Sequence, residues 1–340
     1  MKKIFTCILS VLLVALSLTM FACKDKDAVS IKYAEADAIM QLLIEDKLDY
    51  GLLPEPAATK LEKVKGKDYT WHRISVQDLY DSQTKSYPQA VLMVKESILE
   101  NYPQLVRSIE SKFQENLTWV EQNPALAVGA VQGKYQTTSL APAKVITKQV
   151  IDNCKISWQS AVDAKNAVNG YIADILNVGV GLDIPPAKTV ADDFFYAGSS
   201  ETGNIIENQT FSFVVPDGAP ALAIAKFISD GQNFNEGATF NYNVVVANDI
   251  AKYMNGAIEF ADFIILPVNA ASKLYSSNQQ NKYKMVSVIT HGNLYIMSKN
   301  ESSLSGLVNK TTGIIGKGNV PDLTFKSILS KNGINYKTVA

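Results

Sequence analysis

Two segments that lie far apart in the chain are near-copies of each other. "LPEPAATKL" begins at Leu53 and "LPVNAASKL" begins at Leu266; six of the nine positions are identical and a seventh pairs Thr with Ser. Each segment follows a short apolar run and places small residues where a helix would begin. A duplication of this kind predicts two similarly built units in one chain, and it limits the possible architectures more than any other feature of the sequence.

The segments around the two copies have the same predicted elements but a different order. "TFSFVVPDGAPALAIAKFI" and "FNYNVVVANDIAKYMN" precede the second copy, and each predicts a strand, a turn and a helix. "VSIKYAEADAIMQLL" precedes the first copy and corresponds to the second of these segments. The counterpart of the first segment, "TTGIIGKGNVPDLTFKSIL", lies at the opposite end of the chain. We therefore expect "VSIKYA" (29–34) to pair within the sheet that contains "TTGIIG" (311–316).

The alternation of short apolar strands with helices predicts an α/β protein with parallel, doubly wound sheets. Between the duplicated parts, "AVLMVKES" (90–97) predicts a strand and residues 98–123 predict one long helix, because their apolar residues recur at helical spacing. Two or three further helices are expected up to residue 180. The Gly-, Pro- and Ser-rich residues 181–209 are expected to form a linker.

Residues 1–22 have the pattern of an export signal, which is excluded from the fold. "MKK" is followed by an apolar run that ends at Cys23 and then by the polar "KDKD". This junction predicts a lipoprotein signal with Cys23 as the acylated residue, although Met20 and Phe21 depart from a strict lipobox. An uncleaved membrane anchor is the alternative, because 19 largely apolar residues could just span a bilayer. Either reading places the body of the protein outside the cytoplasm.

The composition argues against several classes of function. There is no basic block, and only two arginines, Arg73 and Arg107, occur in the chain, so nucleic acid is not expected as a partner. Cys154 has no cysteine to pair with in the body and is interpreted as a core residue. No H-E-x-x-H or G-x-S-x-G motif occurs, and we predict no catalytic residue, cofactor or metal.

The sequence resembles the solute-binding proteins of ABC importers. The nearest group includes carriers of aliphatic sulfonates, taurine, nitrate, thiamine pyrimidine precursors and riboflavin. The resemblance covers nearly all of residues 28–340 and is carried by these segments: "VVPDGAPALAIAKFI", "THGNLYIMSK", "GKGNVPDL", "LLPEPAATKL" and "YPQAVLMVKESILENYPQLV". It implies a two-lobed fold of the type II periplasmic-binding-protein kind, with two doubly wound sheets joined by a two-strand hinge.

In that family the order of segments starts at the equivalent of Thr210–Val215. The present chain is therefore similar to a circular permutant, with the old termini joined by residues 181–209 and new termini near Ala28 and Ala340. The resemblance places the hinge at "VITHGNLYIMS" and "YPQAVLMVK". The first lobe is then expected at 89–297, and the second lobe is split into 28–88 and 298–340.

The implied function is capture of a small solute between the lobes by hinge closure. The implied partners are the permease and ATPase subunits of an importer, with a monomeric protein held to the membrane by its N-terminal lipid. A sulfonate-like anion, a thiamine pyrimidine precursor or a related heterocycle would be the solute. Two other functions stay open: a sensory or interaction lipoprotein, and an enzyme on the same fold.

Ligands of doubly wound sheets bind beyond the carboxyl ends of the strands. Five junctions between strand and helix are therefore expected at one cleft: 34–37, 54–58, 216–220, 266–271 and 316–321. Their helix N-termini would favour an anion. The alternative role of the glycines is in turns, and the alternative place of Glu55 is at the rim of the cleft. The candidate ligand-binding residues are Glu55, Asp217, Gly218, Asn269, Thr290, His291, Asn293, Lys317, Gly318 and Asn319.

Overall fold

The computed structural model describes residues 27–64, 70–176, 178, 187–234, 237–246, 249–277, 282–300 and 303–340. The export signal expected at 1–22, the lipidation site expected at Cys23 and part of the expected linker lie outside these residues. In the described part of the chain, no helix is long and apolar enough to cross a membrane.

The strands form two sheets of six strands each, which define two lobes. The strands of the first lobe are β4 (Pro88–Lys95), β5 (Ile156–Ser160), β6 (Gln209–Pro216), β7 (Ala238–Val245), β8 (Phe263–Pro267) and β9 (Tyr283–His291). The strands of the second lobe are β1 (Ala28–Tyr33), β2 (Tyr50–Pro54), β3 (His72–Ser75), β10 (Leu294–Ser298), β11 (Thr311–Ile314) and β12 (Asn335–Thr338). The sheets are mixed rather than parallel as predicted, because each contains antiparallel pairings such as β4 with β8 and β10 with β2.

Helices cover both faces of the sheets. Those of the second lobe are α1 (Ala36–Ile44), α2 (Ala57–Glu62), α3 (Val76–Tyr80) and α13 (Val320–Lys331). Those of the first lobe are α4 (Glu96–Asn101), α5 (Pro103–Gln122), α6 (Pro124–Gln132), α7 (Lys148–Asn153), α8 (Ala161–Leu176), α9 (Ala219–Leu222), α10 (Ala225–Asp230), α11 (Ala251–Met254) and α12 (Val268–Ser277).

The two lobes repeat one arrangement of strands. The sheet orders are β5-β9-β4-β8-β6-β7 and β12-β1-β11-β2-β10-β3. In the first sheet three parallel strands, and in the second sheet four, are followed by an antiparallel one, β4 beside β8 and β10 beside β2. The duplicated segments occupy equivalent places, β2 with α2 and β8 with α12. The α/β class and the internal repeat predicted from the sequence are therefore confirmed.

The two ends of the chain build one sheet together. β1 pairs in parallel with β11, from Ser30 opposite Thr311 to Tyr33 opposite Ile314. The expected pairing of "VSIKYA" with "TTGIIG" is confirmed. β12, which was not predicted from the sequence, adds a short edge strand on the other side of β1 and places Asn335 opposite Ala28.

Two strand glycines explain how closely α1 packs on the second sheet. A Cβ atom at Gly51 would lie 2.6 Å from Leu43 Cδ1, and one at Gly313 would lie 2.6 Å from Leu48 Cδ1. The glycines are needed here because side chains of α1 and of the loop after it occupy the space over β2 and β11. The apolar face of α1 is thereby held against the sheet.

The chain crosses between the lobes twice, between α3 and β4 and between β9 and β10. The crossovers lie beside each other, since the Gly292 amide donates to the Tyr87 carbonyl at 2.9 Å. The expected boundary at 297/298 is corrected by β10, which pairs with β2 and β3 and so belongs to the second lobe.

Two further expectations for the first lobe are wrong. The long helix is divided into α4 and α5 at Tyr102, because Pro103 has no amide hydrogen to continue the ladder of α4. The region 98–180, where one long helix and two or three further helices were expected, also contains the strand β5, which pairs with β9 at the edge of the sheet.

The described part of the expected linker is packed on the first lobe. Phe194 is fully buried, and the Tyr196 amide donates to the Met285 carbonyl at 2.9 Å. Further along, the Asn204 amide donates to the Asn101 carbonyl at 2.7 Å. These contacts hold residues 187–208 against the sheet and α4, although their Gly- and Ser-rich composition favours a flexible segment.

Candidate functional site

A cavity of about 140 Å³ lies between the two lobes. It is lined by Glu35, Ala36, Pro54, Glu55, Gln89, Ala90, Ser139, Pro216, Asp217, Gly218, Ala219, Pro220, Ile250, Pro267, Asn293, Ile315, Gly316, Asn319, Val320 and Pro321. All five predicted junctions contribute at least one lining residue. They meet because each follows the carboxyl end of a parallel strand, and the two sheets present these ends to each other.

Glu55 is the most deeply buried charge in the cavity wall. It follows β2, and its side chain is 0% exposed. Its Oε1 accepts from Arg73 Nη1 and from the Thr59 hydroxyl, both at 2.9 Å, and its Oε2 accepts from the Thr59 amide at 3.1 Å. Burial alone would lower the pKa of Arg73, but the hydrogen bond with Glu62 and the charge of Glu55 raise it. Glu55 is thus held as a paired carboxylate beside the cavity.

Asp217 supplies a second buried carboxylate from the end of β6. Its Oδ2 accepts from the amides of Thr138 and Ser139, the latter at 2.6 Å, and from the Thr138 hydroxyl at 3.2 Å. Gly218 follows with φ +105°, a value that L side chains rarely adopt, and it turns the chain into α9. Residues 138–139 are therefore fixed against the end of β6 at the cavity.

Asn293 joins the hinge to the cavity. Its Oδ1 accepts from Gln89 Nε2 at 2.9 Å, and its Nδ2 donates to the Cys154 carbonyl at 3.1 Å. Its own carbonyl accepts from the Glu55 amide at 3.0 Å. Asn293 therefore connects both crossovers with the first lobe and with β2.

The loop before α13 contacts the other lobe directly. Asn269 Nδ2, at the start of α12, donates to the Gly318 carbonyl at 3.0 Å. The Gly318 amide donates to Asp322 Oδ2 at 2.8 Å, so the loop is also tied to its own helix. This bond joins the two lobes directly.

The predicted site residues separate into two groups. Five of them line the cavity: Glu55, Asp217, Gly218, Asn293 and Asn319. The other five do not line it: Asn269, Thr290, His291, Lys317 and Gly318. Asn269 and Gly318 join the lobes, Thr290 is buried in β9, and the Lys317 ammonium lies 5.4 Å from the Tyr33 ring centroid.

His291 contacts a different face of the hinge. Its Nδ1 is 3.0 Å from the Ser157 hydroxyl and its Nε2 is 3.1 Å from Gln159 Oε1. Both partners belong to β5, so the imidazole faces that edge strand and two grooves on the outside of the hinge. The sequence could not indicate this orientation, because β5 was itself not predicted.

The burial of His291 predicts an acid-dependent loss of stability. Burial lowers its pKa from the ordinary value of 6.5, so the unfolded chain binds a proton at this residue more readily than the folded chain. The free energy of unfolding should fall as the pH drops through 6.5 and below. Urea unfolding from pH 7.5 to pH 5 should show this slope, and His291→Gln should reduce it.

The second histidine of the chain provides the control for that measurement. His72 is exposed at the start of β3. His72→Gln is expected to leave the dependence of unfolding on pH unchanged. An equal reduction of the slope by both variants would contradict the assignment to His291.

Several lining residues were not predicted from the sequence. Glu35 lies inside the predicted junction 34–37 and Gln89 inside the predicted hinge, although neither was named as a candidate, and Ile250 lies beside a predicted turn. Ser139 had no such signal, because it reaches the cavity only through the contact of residues 138–139 with Asp217. Arg73 was noted only as one of two arginines.

The polar side chains of the cavity wall belong to few chemical types. None of the described lining residues is a histidine, cysteine, lysine or arginine, and none is aromatic. Cys154 is fully buried, and burial raises the pKa of its thiol well above the ordinary value. The polar groups that reach the cavity are carboxylates, amides and a serine, which can hold a solute by hydrogen bonds.

No protein-family model matches the chain, and no curated protein matches it with significance.

Proposed function

We propose that the protein is the extracytoplasmic solute-binding component of an ABC importer. The lobes close by hinge motion over a small solute and deliver it to permease and ATPase subunits. Acylation at Cys23 attaches the chain to the membrane. The order of the duplicated segments arose by circular permutation of a type II binding-protein fold.

One observation carries this proposal. Five loops, from two lobes built alike, meet at one cavity, while two adjacent crossovers are the covalent links between the lobes. A hinge of two strands allows the lobes to rotate without breaking either sheet. A site divided between two such lobes couples occupancy to closure, because a solute that contacts both lobes stabilises the closed arrangement.

Closure can be measured by fluorescence energy transfer between the lobes. Ala38, on α1, and Gln136, in the first lobe, are exposed and lie within three positions of the cavity-lining residues Ala36 and Ser139. A donor dye and an acceptor dye are attached at these positions, and the protein is mixed in turn with taurine, nitrate, ethanolamine and aminopyrimidines. A solute that binds should change the efficiency of energy transfer between the dyes.

A pair within one lobe controls for effects on the dyes. Ala38 and Lys47 are both exposed residues of the second lobe. Their transfer efficiency should stay constant with every solute. A solute that binds tightly and changes neither pair would contradict closure of the lobes over it.

A further inference from the structure

We propose that the solute of this cavity is a small protonated aliphatic amine whose N–H groups bond to Asp217. The inference rests on the proposed function, since it names the class of solute that the same cavity takes. It differs from the sulfonate-like anion that the sequence resemblance implies.

The first argument is a buried acceptor without a donor. Asp217 is only 9% exposed, and three donors of Thr138 and Ser139 converge on its Oδ2. Its Oδ1 is buried and has no hydrogen-bond partner among the described residues. Buried polar atoms are nearly always bonded, and a charged acceptor has the most to gain from a donor. Because Asp217 lines the cavity, a bound solute can supply that donor.

The second argument is the balance of charge. Three carboxylates line the cavity, and none of the described lining residues carries a positive charge. Arg73 compensates Glu55 from behind the cavity wall, at 2.9 Å. Asp217 has only neutral donors in its shell, so its charge is unbalanced. An anionic solute would be repelled by it, whereas an ammonium group would be attracted.

The third argument is that the loops offer few donors to an anion. Proline, which has no amide hydrogen, occurs at the start of three helices beside the cavity: Pro56 at α2, Pro220 at α9 and Pro321 at α13. The Gly318 amide is already bonded to Asp322. The helix N-termini therefore lack much of the donor capacity on which an anion site of this kind depends.

The shape of the cavity restricts the amine further. No described lining residue is aromatic, so there is no stacking surface for a heterocycle and no aromatic cage for a quaternary ammonium group. Its volume of about 140 Å³ is below the roughly 300–1,000 Å³ usual for ligand pockets. Apolar contacts for a short carbon chain come from Ala36, Ala90, Ile250, Ile315 and Val320.

Calorimetric titration of the full-length chain, purified in detergent, tests the proposal with three matched probes. Ethanolamine, choline and 2-hydroxyethanesulfonate share a two-carbon hydroxyl skeleton and differ in the charged group; primary amines up to 1,5-diaminopentane extend the series. At least one primary amine should bind, and neither choline nor the sulfonate should. Binding of the sulfonate without any amine would overturn the inference and leave a solute-binding protein in place.

Variants connect the binding to Asp217. Asp217→Asn should weaken the affinity for the amine by at least about thirtyfold, the effect expected when one partner of a buried charge pair is removed. Asp192→Asn removes the same charge from a side chain that is 89% exposed and outside the cavity, and should leave the affinity unchanged. Equal affinities of the wild type and Asp217→Asn would overturn the assignment.

A second variant covers the case in which Asp217→Asn does not fold. Glu35→Gln lowers the negative charge at the exposed rim of the cavity, and it should weaken the affinity for the amine several-fold. Failure of every primary amine to bind would overturn the inference. The proposed function would then be judged separately, by a stability screen that also includes anions and heterocycles.

Discussion

Replacing Arg73 by methionine is expected to lower the free energy of unfolding by about 3 kcal/mol, the low end of the range for removing one partner of a buried ion pair. The carboxylate of Glu55 is fully buried. Among the described residues, the donors left to it without Arg73 would be those of Thr59 and a long contact, 3.5 Å, with Asn153 Nδ2. The low end applies because the Arg73 side chain is 26% exposed, and water can partly replace it. Urea unfolding would measure the loss.

The double variant Glu55→Gln/Arg73→Met should recover most of that stability, because no charge is then left buried without a partner. Arg107 is the matched control, being exposed and bonded through Nη1 to the Ser199 carbonyl. Arg107→Met should change stability by no more than about 0.5 kcal/mol. Similar losses of unfolding free energy in Arg73→Met and Arg107→Met would show that the ion pair with Glu55 contributes no more to stability than an exposed arginine does.

The duplicated strand–helix units, and the pairing of β1 with β11, could be predicted because they follow from local patterns and the internal repeat. β1, β2 and β8 are short apolar runs that lead into helices. The near-identity of 53–61 and 266–274 indicates that β2 and β8 occupy equivalent positions in the two lobes. The rule that parallel strands present their carboxyl ends to a ligand then brought the five junctions to one cavity. Neither step needed any knowledge of side-chain contacts.

The details of the cavity depend on contacts between distant residues, which local patterns do not contain. Glu55 could be placed at the end of β2, but its pairing with Arg73 depends on α2 and on β3, an edge strand in the sheet order. His291 lies two positions before Asn293, yet it faces β5 while Asn293 reaches the cavity. Only the packing of the edge strands decides such directions.

The charge of the cavity also depends on contacts that local sequence patterns do not contain. Helix N-termini were expected at the cleft and are found there, which on general grounds favours anions. The carboxylate of Asp217 and the prolines that begin α2, α9 and α13 act against that preference. The effect of Asp217 becomes evident only when its hydrogen-bond partners are known.

Stabilisation by a solute is the second large effect expected. A ligand that binds only the folded protein, present at about a hundred times its dissociation constant, adds about 2.7 kcal/mol to the free energy of unfolding. In a chain of this length that corresponds to a rise of at least about two degrees in the melting temperature. The rise should depend on concentration, and it should be much smaller in Asp217→Asn than in Asp192→Asn if the solute occupies the cavity.

Thermal unfolding of the full-length chain against a panel of solutes therefore tests the central claim most directly. The panel holds primary amines, sulfonates, taurine, nitrate, thiamine and its pyrimidine precursors, riboflavin and amino acids. The account predicts that one chemical class raises the melting temperature in a saturable way and that the cavity variant suppresses the rise. No rise with any solute, for protein shown by mass spectrometry to be free of bound solute, would contradict a solute-binding function.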